Sequence, residues 1–281
     1  MVREQSSWAE FWNRGGFWRA VLVVLVYLGL YTLASFGSQL AFAAQIHPED
    51  VFATPESVFF AIGGGTLVGS LLIVAFISTV KWWRPLFARQ PVRGSWWMWI
   101  AVVIVVVPAV VRLTATDYSR YTVGTVIATF LFVGLLVGFT EELVTRGIGI
   151  RLLRAKGHSE RVVAVLSAAL FALMHLVNAI GTGITPTILV LLLYTFGFGI
   201  CMYLVMRVTG NLSWAVLLHA ITDPTLALAN GGIDTASTTA PNPLLEAAGL
   251  ENLLVIAFGL ISIIFIRGRA GVENSVGRPV S

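Results

Sequence analysis

Long uninterrupted runs of apolar residues dominate the chain and predict membrane-spanning helices. A helix needs about 20 mostly apolar residues to cross the hydrocarbon core of a bilayer. Runs such as VLVVLVYLGLY and AVVIVVVPAVV are continuous, which favours helices over the alternating strands of an outer-membrane barrel. Eight spans are predicted, at approximately Trp18–Ala43, Val58–Val80, Trp96–Leu113, Tyr121–Leu143, Arg161–Ile180, Thr185–Val208, Leu212–Asn230 and Glu251–Ile266.

The composition supports an integral membrane protein and excludes a disordered chain. Of the 281 residues, 57% are hydrophobic and only 11% are charged, against roughly 25% charged in an average soluble domain. The mean hydropathy is +0.86. The single cysteine, Cys201, excludes an intramolecular disulfide framework and a multi-cysteine metal site. We therefore expect one all-α membrane domain over residues 1–281, in contact with membrane lipid and not with nucleic acid.

The positions of the charges predict the orientation of the spans. With the N-terminus inside, all of the 18 lysines and arginines except Arg112 and Arg120 fall in inside segments. This bias follows the positive-inside rule, so both termini are expected on the cytoplasmic side of the cell membrane, with the first helix retained and not cleaved as a signal peptide. The predicted outside loops carry the acidic residues Glu49, Asp50, Glu56, Asp117, Asp234, Glu246 and Glu251.

Ionisable residues within spans are costly, so each is a functional candidate. In the fourth span Glu141 and Glu142 are adjacent and project about 100° apart, whereas Glu142 and Arg146 lie on one helix face. Two carboxylates in different environments suit one base and one structural anchor. The simpler interpretation is a cluster of interfacial charges at the cytoplasmic end of the helix.

Two further spans contain polar residues at membrane depth. The fifth contains His175, and the seventh contains His219 and Asp223, four residues apart and on one face. Pro224 leaves the Ala220 carbonyl without its usual donor, which is tolerated where a helix lines a cavity. Separately, these residues are equally well explained as a packed histidine and a proline kink. Convergence of all three spans on one wet pocket would remove the cost of burying each group alone.

Such a pocket has the groups needed for peptide-bond hydrolysis. Two histidines with carboxylates can hold a divalent metal that keeps an open water position, or can activate water without a metal. A carboxylate would take the water proton, and an imidazole or a metal would stabilise the oxyanion. The sequence contains neither HExxH nor GxSxG, and Asp223 is its one intramembrane aspartate, so zincin, serine and aspartyl mechanisms are not indicated.

Three short motifs lie in order on three separate late spans, within residues 134–230. They are Glu141-Glu142-Leu-Val-Thr-Arg146, Phe171-Ala-Leu-Met-His175 and His219-Ala-Ile-Thr-Asp223. In residues, order and placement they resemble the EExxxR, FxxxH and HxxxN/D motifs of the CAAX prenyl protease and bacteriocin-processing (CPBP) intramembrane proteases. This resemblance places the catalytic core helices at residues 121–230.

The resemblance implies an eight-helix intramembrane endopeptidase that opens to the cytoplasm and the lipid and cleaves membrane-associated or lipidated proteins or peptides. It implies that Glu141 and His175 prepare the water, while His219 and Asp223 support the oxyanion or a metal. Glu142 and Arg146 would shape the site, with Phe171 as a further support. Two possibilities stay open. Either zinc or another divalent metal is held by Glu141, His175, His219 and Asp223, or no metal is used.

Asp223 departs from the asparagine that is typical of the prenyl-processing members. An ionised aspartate cannot donate a hydrogen bond to an oxyanion. Asp223 must therefore be protonated, bind a metal, or orient His219 instead.

Two other functions remain open at this point. A transporter or channel would use the same polar cluster as a proton relay, and a scaffold or regulator of the same family would not use it for catalysis. The substrate and the oligomeric state are likewise open. The pairs Gly65/Gly69 and Gly134/Gly138 predict close helix approach, and the second pair ends about one turn before Glu141.

Overall fold

The computed structural model describes residues 7–180, 183–232 and 241–271, and the regular elements among these residues are helices joined by short loops. Eight of its helices are long and apolar enough to cross a membrane, which confirms the predicted all-α architecture. Arg3, Asp234 and Arg278 lie outside the described residues. The eight helices are α1 (Phe17–Ala41), α2 (Pro55–Val80), α3 (Trp96–Ala115), α4 (Val123–Arg154), α5 (Glu160–Ala179), α6 (Pro186–Thr209), α7 (Leu212–Asn230) and α8 (Pro243–Ser262).

Helix α6 lies at the centre of the bundle. In its most apolar window 67% of the residues are buried, against 22% in α1 and in α8. Every residue of 197–207 is buried, and α3, α5, α7 and α8 pack around this helix.

Helix α4 is longer than the predicted span Tyr121–Leu143. It continues to Arg154 and has 32 residues, which corresponds to about 48 Å at 1.5 Å per residue. All residues from 142 to 150 are buried. The charged residues ended the predicted apolar run, but Glu142 and Arg146 form an ion pair inside the bundle. Because these charges are neutralised, the helix does not stop at them.

Helix α8 begins earlier than the predicted Glu251–Ile266. Its first residue is Pro243, and the Asn242 side chain caps it by accepting a hydrogen bond from the Leu244 N–H at 3.0 Å. Glu251 was predicted in a loop on the outer side of the membrane, and Arg112 was counted on that same side; the structure buries both side chains. Arg112 Nη1 lies 2.5 Å from Glu251 Oε2, so the two residues form an ion pair between α3 and α8.

The helices alternate in direction, and one end of the bundle, here called the basic end, collects most of the positive charge. At the basic end, four helices begin, namely α1, α3, α5 and α7. The other four helices, α2, α4, α6 and α8, end there. The Gly16 N–H donates to the Leu152 carbonyl at 2.7 Å, and Arg207 Nη2 donates to the Arg93 carbonyl at 2.6 Å. The basic residues at this end are Arg14, Arg19, Lys81, Arg84, Arg89, Arg93, Arg151, Arg154, Lys156, Arg161, Arg207, Arg267 and Arg269.

A hydrogen-bonded network closes the basic end between α4, α5 and α6. Glu160 accepts hydrogen bonds from Arg154 at 2.8 and 2.6 Å and from the Tyr203 hydroxyl at 2.7 Å. Arg207 donates to the same hydroxyl at 2.7 Å, and Arg154 also donates to the Gln90 side chain at 2.7 Å. Buried charges are tolerated when they are paired and hydrogen-bonded in this way.

The predicted close approach at Gly134 and Gly138 brings α4 against α7. A Cβ atom placed on Gly138 would lie 2.7 Å from the Ala220 nitrogen, and one on Gly134 would lie 2.5 Å from the Ala220 oxygen. Small residues at helix interfaces in membranes permit this kind of backbone contact. The two glycines therefore set how closely α4 and the His219 region of α7 approach each other.

Gly138→Ala is expected to destabilise the protein by about 1–3 kcal/mol, because overpacking a tight contact forces the backbone to shift. Thermal unfolding in detergent measures this change. The matched control is Gly29→Ala on α1, where no heavy atom lies within 4 Å of the added Cβ. The control should be neutral or stabilising by roughly 0.5–1 kcal/mol, since alanine is the better helix former. Equal melting temperatures for the two variants would contradict the assigned contact.

Candidate active site

A buried ion cluster links α4 to α7 at the first and third motifs. The side chains of Glu142 and Arg146 are 0% exposed. Glu142 Oε1 lies 3.2 Å from Arg146 Nη1 and 2.9 Å from His219 Nδ1. One carboxylate oxygen therefore holds both the guanidinium and the imidazole, which fixes the ring of His219 relative to α4.

Phe171 connects this cluster to the second motif. The Arg146 guanidinium lies over the Phe171 ring, with Cζ 4.2 Å from the ring centroid. The same ring makes edge-on contacts with His175 and His219, at centroid distances of 4.9 and 5.7 Å. A cation over an aromatic face is favourable, and more so away from water. The phenylalanine thus packs between the arginine and both histidines.

Glu141 and Asp223 occupy the more open side of His219. Their side chains are 18% and 29% exposed. His219 Nε2 lies 3.1 Å from Asp223 Oδ2 and 3.9 Å from Glu141 Oε2. The first distance is a hydrogen bond; the second is too long for one and suits a bridging water. Both carboxylates line a cavity of about 930 Å³.

His175 lines the same cavity from the last turns of α5. Its Nδ1 lies 3.0 Å from the Phe171 carbonyl oxygen. Because a carbonyl oxygen only accepts hydrogen bonds, Nδ1 is the donor, and Nε2 of the neutral ring keeps its lone pair. The structure therefore brings all the predicted site residues together, with Glu141, Phe171, His175, His219 and Asp223 at the cavity and Glu142 and Arg146 behind them.

Two aromatic residues of the site carried no signal in the sequence. Phe198 of α6 makes an edge-on contact with His219 at a centroid distance of 5.1 Å. Tyr27 of α1 lines the cavity although the first three spans carry none of the motifs. An aromatic side chain in a long apolar run is typical of ordinary packing, so only the fold identifies these two residues.

A comparison with known families finds a match for the part of the chain that carries the site. The model of one family, described as Type II CAAX prenyl endopeptidase Rce1-like, matches residues 123–225. This segment is similar to that family, and it is called the Rce1-like segment below. The match confirms the resemblance to the CPBP proteases, and the Rce1-like segment contains every predicted site residue. No curated protein matches the chain.

The side chains of the Rce1-like segment, as arranged, do not fit a bound metal ion. Both nitrogens of His219 face carboxylate oxygens at hydrogen-bond distance. When both carboxylates are ionised they only accept hydrogen bonds, so both nitrogens donate and no lone pair is left for a metal. Within residues 7–180, 183–232 and 241–271, no group of three or more His, Cys, Asp or Glu side chains is placed to hold a metal ion.

We accordingly predict that chelators leave the activity of this protein unchanged. Cleavage is measured before and after treatment with EDTA and with 1,10-phenanthroline, and the metal content of the purified protein is determined by elemental analysis. We expect less than a twofold change in rate and no stoichiometric metal. Loss of activity on chelation, restored by one divalent metal, would show that His219 or its carboxylate partners rearrange to bind that ion.

Proposed function

We propose that this membrane protein is an intramembrane endopeptidase that hydrolyses peptide bonds in membrane-associated polypeptides by means of a glutamate-activated water. The observation that carries the proposal is the convergence of Glu141, His175, His219 and Asp223 from α4, α5 and α7 on one cavity. The Rce1-like match of residues 123–225 supports the same class of enzyme. We further propose that the protein lies in the cell membrane with both termini cytoplasmic.

In the proposed reaction Glu141 is the general base. Its carboxylate lies at the cavity, where a water would be within hydrogen-bond reach of it. The His175 Nε2 lone pair is available to accept the second hydrogen bond from that water. With its proton transferred to Glu141, the water oxygen attacks the carbonyl carbon of the substrate.

His219 has the proposed role of stabilising the oxyanion. Donating from both nitrogens, the ring carries positive charge beside the position where negative charge develops on the carbonyl oxygen. Glu142 fixes the Nδ1 side of the ring, and Asp223 orients the Nε2 side. Of the three roles left open for Asp223, the contact favours orientation of His219. The C–N bond then breaks as Glu141 returns the proton to the leaving amine.

A cleavage assay with the purified protein in proteoliposomes tests the proposal. The substrates are synthetic peptides of three kinds: prenylated C-terminal peptides, leader peptides and transmembrane segments, with products identified by mass spectrometry. We expect products from the wild type and a loss of about 10²-fold or more in His175→Ala. The matched control is His47→Ala, an exposed histidine in the loop after α1, which should keep the wild-type rate.

Two results would overturn the proposal. One is the absence of products from all three classes with a correctly folded wild type. The other is proton or ion flux in the liposomes that depends on Glu141 and occurs without peptide products, since this would identify a transporter.

A further inference from the structure

The cavity occupies only one half of the bundle. From Glu141 and His219 it extends away from the basic end, towards the residues where α1, α5 and α7 end and α6 begins. The far part of its lining includes Pro48, Glu49 and Asp50 from the α1–α2 loop, Thr187 from the first turn of α6, and Gly232 after α7. The mouth of the cavity therefore lies at the end opposite the basic end.

The other half of the bundle is filled with side chains. On the basic side of Glu141, residues 142–150 of α4 are all buried, as are residues 197–207 of α6. Beyond them the network of Arg154, Glu160 and Arg207 joins the ends of α4, α5 and α6. A polypeptide approaching from the basic end would have to break these buried ion pairs, which is costly.

The distribution of charge indicates which side of the membrane each end faces. Lysine and arginine near the ends of spans are enriched on the cytoplasmic side. The basic end carries nearly all of these residues, whereas the opposite end has Arg120, and Arg112 there is neutralised by Glu251. The cavity mouth, with Glu49 and Asp50 beside it, is thus at the end that the positive-inside rule assigns to the outside.

We propose that the active-site cavity opens on the extracytoplasmic side of the membrane, so that its substrates are polypeptide segments presented from that side. The proposal rests on the proposed endopeptidase function and adds the side of access. It departs from the cytoplasmic opening that the resemblance to the CPBP family implies. Accordingly, exported peptides and the outer halves of membrane spans are the substrate class, and cytoplasmic C-termini are not.

Cysteine labelling in sealed vesicles decides the side of access without requiring any protease activity. The native Cys201 is buried, so the wild type gives a low background. Thr187→Cys and Glu49→Cys place thiols at two exposed positions of the mouth, and Arg84→Cys places one at the basic end as the matched control. The probe is a negatively charged, membrane-impermeant maleimide applied to right-side-out and to inverted vesicles.

We expect both mouth cysteines to react at least tenfold faster in right-side-out vesicles, and Arg84→Cys to react at least tenfold faster in inverted vesicles. The reverse pattern, or reaction of all three cysteines from the same side, would overturn the proposal. Because two mouth positions are used, a folding defect in one variant leaves the other to decide. The inactive Glu141→Gln background should give the same labelling, which separates this test from the test of catalysis.

A second measurement links the mouth to substrate entry. Thr187→Cys is modified from the outside with a bulky polyethylene glycol maleimide, and cleavage is then assayed with whichever synthetic peptide the wild type hydrolyses. We expect at least a tenfold loss of rate, and no loss after modification of Arg84→Cys. An unchanged rate in fully modified Thr187→Cys would show that substrates enter elsewhere. An inactive wild type would instead refute the endopeptidase function, while the labelling pattern would still report the side of the mouth.

Discussion

Glu141→Gln is expected to reduce the rate of peptide cleavage by about 10²- to 10⁴-fold, the usual contribution of a general base. Glutamine has nearly the same shape but cannot take the proton from water. The Glu141 side chain faces the cavity and lies 3.9 Å from His219, outside the buried ion pair. We therefore expect the thermal stability of the variant to stay within about 1 kcal/mol of the wild type.

The matched control for this experiment is Glu49→Gln, which removes another carboxylate from the lining of the same cavity. Its rate should remain within about twofold of the wild type, since Glu49 lies at the mouth and surface substitutions usually have small effects. Cleavage by Glu141→Gln at more than a tenth of the wild-type rate would remove Glu141 from the proposed reaction. A similar loss in both variants would indicate a general electrostatic effect instead.

Glu142→Ala is expected to show the largest loss of stability, although Glu142 is adjacent to Glu141. Its side chain is fully buried and its Oε1 faces both Arg146 and His219. Removing one partner of a buried pair leaves an uncompensated charge, at a cost of about 3–5 kcal/mol. Thermal unfolding in detergent should show a fall in melting temperature on the order of 10 °C, accompanied by loss of cleavage.

Glu246→Ala is the control for this second variant, because Glu246 is exposed in the first turn of α8. It should unfold within a few degrees of the wild type. If Glu142→Ala were as stable as this control, Glu142 would not anchor Arg146 and His219. The melting temperature thus distinguishes the two adjacent glutamates: Glu141→Gln should lose cleavage but keep its stability, whereas Glu142→Ala should lose both.

The polar parts of the site were predictable from the sequence, and the reason is energetic. A carboxylate or an imidazole in a run of apolar residues is costly unless it meets a partner. Glu141, His175 and His219 therefore stand out, and their convergence follows from that cost. The number of spans could also be predicted from the sequence, because the bilayer thickness fixes the length of apolar run that a spanning helix needs.

The partners of the buried charges were not predictable in the same way. Glu251 was predicted in a loop on the outer side of the membrane and Arg112 on that same side, with no partner assigned to either. Their contact is between residues 139 positions apart, and local periodicity carries no information on such pairs. The edge contact of Phe198 with His219 and the position of the cavity depend in the same way on how the helices pack.

The Arg112–Glu251 pair has a consequence for how the protein is made. Translation proceeds from the N-terminus, so α3 enters the bilayer with an arginine whose neutralising carboxylate is encoded 139 residues later. An arginine in the last turn of α3 can extend to the membrane interface until the last helix emerges from the ribosome. Its buried position is therefore reached only when α8 joins the bundle and supplies Glu251.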